Sequence, residues 1–180
     1  TPTVDDIANT SVCDSYTLPA AITGTNLSSN QAFYTATGGG GAQIAFGSVI
    51  NTTQTIYIYD ATVAPVCSDE ESFTITVSNS VNAGANNNAT MCNAAGNTSN
   101  LSLDLLDIAA DAGGTWLETS SILSGQFNTG TSLFNAGGLA NGVYTFIYVL
   151  NTAAPCSNDT AYFTINVTGT IDAGNDHTLT

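Results

Sequence analysis

The chain has 180 residues, 43% of them hydrophobic, and carries no lysine or arginine against 14 aspartates and glutamates, for a formal charge of −14. Nucleic-acid binding and attraction to anionic membrane surfaces both need cations facing phosphates, so both classes are excluded. The hydrophobic content is that of a folded protein, and a uniform negative charge keeps like units soluble and apart.

Alternation of apolar and polar residues, the mark of half-buried strands, dominates the chain. In order, strands are predicted at 11–18 (SVCDSYTL), 31–37 (QAFYTAT), 42–50 (AQIAFGSVI), 54–61 (QTIYIYDA) and 73–78 (FTITVS). A second series follows at 101–106 (LSLDLL), 113–119 (GGTWLET), 124–129 (SGQFNT), 142–150 (GVYTFIYVL) and 163–167 (FTINV). In the strand at 73–78, Phe73, Ile75 and Val77 face one way and Thr74, Thr76 and Ser78 the other; Phe163, Ile165 and Val167 repeat the pattern. Only 103–112 (LDLLDIAADA) has helical character, enough for one or two turns. Short strands with Gly, Asn and Pro between them at regular spacing predict an all-β protein built of antiparallel sandwiches of immunoglobulin type.

The chain repeats itself. FTITVSNSVNAG (73–84) lies over FTINVTGTIDAG (163–174) without a gap. Reading backward, 55–67 lies over 144–156, which sets Tyr59 on Tyr148 and Cys67 on Cys156. The expected organisation is one immunoglobulin-like repeat over 1–79, a second over 80–170, and the start of a third over 171–180. No signal peptide or transmembrane run is visible, so the chain reads as an internal piece of a longer secreted array.

Four cysteines fall two per repeat, at 13, 67, 92 and 156, with no CxxC and no Cys/His cluster to suggest zinc or redox chemistry. Pairing within each repeat, Cys13 with Cys67 and Cys92 with Cys156, is the simple expectation, and it implies an oxidising, extracellular location. Because Cys67 and Cys156 precede the final strand, such a bridge would staple one pole of a sandwich. The alternative is buried free thiols.

Enzyme chemistry finds little here. A Ser/His/Asp triad would need His177, the single histidine, and there is no lysine for a Schiff base or arginine to clamp an anion. No cofactor is expected. Calcium is the one ion worth weighing, with Asp69, Glu70 and Glu71 as the densest acid cluster and Asp172 and Asp176 at the second joint. The joint acids are Asn82 and Asn86 in the first copy, and the cluster has a single-acid counterpart, so a solvated loop is the expected reading of 69–71. Trp116 sits on a predicted central strand, where a buried tryptophan fills the core, with a sugar-stacking platform as the alternative.

The runs DAGGTW (111–116), NGVYTFIYVL (141–150) and APCSNDTAYFTINV (154–167), with the Asp-Ala-Gly opening at 172–174, resemble repeats of giant cell-surface adhesins of gliding Bacteroidota. The first repeat, with VDDIANTSVCDSYTLPAAITGTN (4–26), IYIYDAT (56–62) and CSDEESFTITV (67–77), is similar to a second repeat type of the same proteins. The resemblance implies immunoglobulin-like modules strung in large numbers, exported by type IX secretion and borne on the cell surface in adhesion and gliding motility. It also implies an O-glycosylation signal, which Asp159-Thr160-Ala161 matches, making Thr160 an acceptor.

The expected function is therefore that of a structural shaft module of a secreted adhesin, not an enzyme, whose partners are neighbouring repeats of the same chain, with surface polysaccharide as a further candidate. Alternatives are a carbohydrate- or cell-binding module, or a non-catalytic appendage of a secreted enzyme.

Overall fold

A computed structural model describes residues 1–64 and 66–169. The chain divides into two compact units, one formed by Thr1–Ser80 together with Thr152–Ser157, the other by Val81–Asn151 with the strand that follows Asn158.

The first unit contains β1 (Thr3–Val4), β2 (Thr10–Cys13), β3 (Tyr16–Thr17), β4 (Gly24–Thr25), β5 (Ala32–Ala36), β6 (Gly40–Ile44), β7 (Val49–Ile50), β8 (Gln54–Ala61) and β9 (Ser68–Ser78). Its main sheet runs β2-β9-β8-β5-β6, and the short pairs β1-β4 and β3-β7 build the facing layer. All neighbours are antiparallel except β2, which lies parallel to β9. A hairpin cannot join parallel neighbours, so the chain must cross between the layers before it returns to close the sheet. The strands hold because alternation puts Ile56 and Ile58 of β8, and Phe73 and Ile75 of β9, on one face, where they meet Leu18, Ile22, Phe33 and Ile50. Burying each such side chain contributes about 1.5–3 kcal/mol.

The second unit contains β10 (Asn87–Cys92), β11 (Thr98–Asn100), α1 (Leu101–Asp104), β12 (Thr115–Glu118), β13 (Phe127–Asn128), β14 (Leu133–Asn135), β15 (Gly142–Leu150) and β16 (Asp159–Thr168). One sheet runs β10-β16-β15-β12 and the other β11-β14-β13, again with the opening strand β10 parallel to the closing strand β16. Between them lie Trp116, Phe134, Phe146, Tyr148, Phe163 and Ile165, all buried. Layers of mainly antiparallel strands over one apolar interior make the chain all-β, with immunoglobulin-like sandwiches as its architecture.

Two expectations are corrected. The strand at 101–106 is instead the single helical turn α1, which starts earlier than the helical stretch expected over 103–112 and ends at Asp104. Asn100 caps it, its side-chain oxygen accepting the Ser102 N–H at 3.2 Å, while the Asp104 carboxylate accepts the Asn100 N–H at 2.9 Å and the Ser99 hydroxyl at 2.7 Å. These local bonds satisfy the helix start and outweigh the apolar alternation of LSLDLL.

The second correction concerns the overlay of Tyr59 on Tyr148. The register pair Ile56–Phe73 matches Phe146–Phe163, and Asp60–Asp69 matches Leu150–Asp159. The structural counterpart of Tyr148 is therefore Ile58, and the ungapped overlay of 55–67 on 144–156 is one residue out. With a side-chain period of two, that single step moves a residue to the opposite face: Tyr148 is buried, whereas Tyr59 is only partly so.

Candidate functional site

A hydrogen-bonded polar site lies at the end of the first unit where β2 and β9 stop together. β2 pairs Cys13 with Ser78. Beyond it Asp14 turns the chain with a φ of 64°, a left-handed conformation that aspartate tolerates better than most residues. The Asp14 N–H donates to the Ser78 carbonyl at 2.8 Å, and its carboxylate accepts the Ser80 N–H at 2.8 Å, so both strand ends are tied down. The segment Thr152–Ser157 lies on this site: the Thr152 hydroxyl donates to the Asn79 carbonyl at 2.9 Å and the Ser78 hydroxyl to the Ala154 carbonyl at 3.3 Å. Cys156, buried there, forms a disulfide with Cys13 across a sequence separation of 143.

This pairing corrects the expectation. Cys13 is bonded to Cys156, not Cys67, and Cys156 to Cys13, not Cys92; Cys67 and Cys92 are free thiols, the first half-buried and the second exposed. The reason is placement. The segment carrying Cys156 packs on the end of β2 within the first unit, although in the chain it runs between β15 and β16 of the second unit.

The acid cluster is not a solvated loop either. Asp69, Glu70 and Glu71 are consecutive residues of β9, so their side chains alternate between faces instead of converging. Asp69 accepts the Val4 N–H at 2.8 Å, Glu70 accepts the Gly38 N–H and the Thr37 hydroxyl of the turn between β5 and β6, and Glu71 is exposed. Among the described residues, the one close group of three metal-ligating side chains is Cys13, Asp14 and Cys156, whose two sulfurs are bonded to each other. Asp172, Asp176 and His177 lie outside the described residues, as does the expected third repeat at 171–180.

Asp159 does in the second unit what Asp69 does in the first. It opens β16 and accepts the Ala83 N–H at 2.8 Å. Sequence reasoning missed both anchors, although the signal was present: each aspartate stands four positions before the Phe of the Phe-Thr-Ile strand. Thr160, the candidate glycosylation acceptor, is a partly buried residue of β16 paired with Val149.

Trp116 fills the core. It is 4% exposed, its indole N–H donates to the Ser102 hydroxyl at 2.7 Å, and its ring lies 4.8 Å from that of Phe163 and 5.3 Å from that of Tyr148. A ring so enclosed offers no face for a sugar to stack on. The Tyr148 hydroxyl accepts the Gly114 N–H at 2.8 Å and donates to the Asp111 carbonyl at 2.9 Å, pinning the segment before β12. Gly114 is required there, because a Cβ would come within 2.4 Å of the Tyr148 ring. No helix among the described residues is long and apolar enough to cross a membrane.

No protein-family model matches the chain, and no curated protein does. Solved structures do. The titin I-band fragment I67–I69 is 12% identical, with 93% of this chain and 66% of that one covered at a TM-score of 0.39. Drosophila N-cadherin EC1-3 is 12% identical, covering 94% and 68% at 0.37, and the titin domains z1z2 in complex with telethonin are 12% identical, covering 94% and 97% at 0.36. The chain thus spans about two thirds of the length of the first two. At these scores the likenesses stand beside the fold assignment, which rests on the strand topology above.

Proposed function

We propose that the chain is a structural module of a secreted, cell-surface repeat protein, made of tandem immunoglobulin-like repeats over 1–79 and 80–170, and that it serves adhesion by reach and solubility and not by catalysis. The observation that carries this reading is internal likeness. Two units share an early strand paired in parallel with the closing strand, β2 on β9 and β10 on β16, and the same aspartate anchor at the start of the closing strand. A disulfide fits an oxidising location outside the cytoplasm, and the −14 charge suits units that must not clump when many are joined. The resemblance to gliding Bacteroidota adhesins supports the finer reading: a shaft segment exported by type IX secretion, carried along the surface of gliding cells, with Thr160 as a glycan acceptor.

The test has two arms. The parent gene should encode further units ending in the Asp-x-x-x-Phe-Thr-Ile strand; two such units attached to a catalytic domain would favour the enzyme-appendage reading instead. The 180-residue chain should bind nothing on a glycan array at micromolar concentration, and a reproducible polysaccharide signal would replace the shaft by the binding-module reading.

A further inference from the structure

The cysteines occupy two kinds of place, and the structure fills only one pair of them. Cys13 and Cys92 are strand cysteines. Each ends the strand of its unit that runs parallel to the closing strand and is paired with the end of that closing strand, Cys13 with Ser78 and Cys92 with Thr168. The likeness extends to the neighbouring backbone, since the next residue donates its N–H to the carbonyl of that same partner: Asp14 to Ser78 at 2.8 Å and Asn93 to Thr168 at 2.9 Å. The residues anchored by the two aspartates, Val4 and Ala83, precede the two cysteines by the same interval. Cys67 and Cys156 are loop cysteines, each in the connection between the last two strands of its repeat. The bond present joins the strand cysteine of the first repeat to the loop cysteine of the second. Cys92 is thus a strand cysteine without its loop cysteine, and Cys67 a loop cysteine without its strand cysteine; both are free thiols.

We propose that Cys92 and Cys67 are inter-repeat disulfide sites, Cys92 bonding the loop cysteine of the repeat that follows and Cys67 the strand cysteine of the repeat that precedes. The proposal rests on the tandem-array reading above and adds to it a covalent link at each junction, made of the same two cysteine types as Cys13 and Cys156. The chemistry is thiol–disulfide exchange with a disulfide oxidant such as oxidised glutathione. The Cys92 thiolate attacks that disulfide and releases one glutathione. The thiolate of the partner cysteine then attacks the Cys92 sulfur of the mixed disulfide and releases the second. Two protein thiols are oxidised, one small disulfide is reduced to two thiols, and two protons pass to the glutathione leaving groups.

The test uses the parent protein taken from the surface of its cells, alkylated with N-ethylmaleimide before any reduction and digested with pepsin at low pH, where exchange is slow. Pepsin is needed because the chain lacks the lysines and arginines at which trypsin cuts. Mass spectrometry should find the Cys92 peptide linked to a loop-cysteine peptide of another repeat, and the Cys67 peptide linked to a strand-cysteine peptide of another. As a reference for the bond already present, the 180-residue chain treated in the same way should show Cys13 linked to Cys156 and two alkylated residues, Cys67 and Cys92. In the parent, alkylated Cys67 and Cys92, or links from Cys13 to Cys67 and from Cys92 to Cys156, would overturn the proposal while leaving the array reading intact. A parent with no further cysteine-bearing repeats would overturn both.

Discussion

Replacing Tyr148 with phenylalanine isolates one pair of hydrogen bonds in the second unit. The ring stays, so the contacts with Trp116 are kept and only the hydroxyl is lost. That hydroxyl serves two backbone groups, the Gly114 N–H at 2.8 Å and the Asp111 carbonyl at 2.9 Å, from a side chain that is 4% exposed. A buried group deprived of its partner costs about 1–3 kcal/mol. A shallow surface depression lined by Gly113, Gly114 and Tyr148 lets water reach part of the site, so the two losses do not add in full, and about 2 kcal/mol is the expected total. For a domain of this size that corresponds to a fall in melting temperature of roughly 8–16 °C. Trp116 is the single tryptophan of the chain and sits in this unit's core, so its fluorescence reports the second unit alone during urea or thermal unfolding. The expected outcome is a lower midpoint with an unchanged denaturant slope. A midpoint shift below about 2 °C would refute the assignment of the Tyr148 hydroxyl as the clamp of the segment before β12. Gly114→Ala should be at least as damaging, because the new Cβ would lie 2.4 Å from the ring that carries the hydroxyl.

Asp69→Ala and Asp159→Ala should each destabilise their own unit by about 1.5–3 kcal/mol, the usual range for a hydrogen bond to a charged group, with the Asp159 variant moving the Trp116 transition and the Asp69 variant leaving it in place. Equal effects of both on Trp116 would contradict the separate anchoring of Val4 and Ala83. Reducing the Cys13–Cys156 bond, or replacing both residues with serine, removes a closure of 143 residues, worth up to about 5 kcal/mol on the chain-entropy model when the whole chain unfolds. Calorimetry should then show the first unit melting at a lower temperature, and an unchanged trace would show that the bridge holds nothing in place. Chelation with EDTA should shift neither unit by more than about 2 °C, because Asp69 and Glu70 already accept backbone N–H groups; a fall of about ten degrees would restore the calcium reading.

Much of the fold was legible because the signal for a half-buried strand is local. Alternation over QTIYIYDA and GVYTFIYVL marks β8 and β15 residue for residue, and Phe73, Ile75, Phe163 and Ile165 all point inward as their period of two requires. Trp116 was expected in the core from a predicted central strand, and it is core, although β12 is the edge strand of its sheet. What local pattern could not fix is phase between the copies, where a one-residue difference puts Tyr59 and Tyr148 on opposite faces although an ungapped overlay makes them equivalent. Nor could it choose between LSLDLL as a strand and as a helical turn, since the decision lay with Asn100 and Asp104 closing bonds around the helix start.

The sequence by itself determined the fold class of the protein: its repeated alternating strands make sandwiches. Tertiary structure alone decided which cysteines meet. Four cysteines allow three pairings, and spacing along the chain does not distinguish them. A disulfide forms only where Cα atoms approach to within about 7 Å. The segment Thr152–Ser157 packs on the end of β2, which brings Cys156 to a Cα–Cα distance of 4.9 Å from Cys13 and leaves Cys67 and Cys92 as thiols.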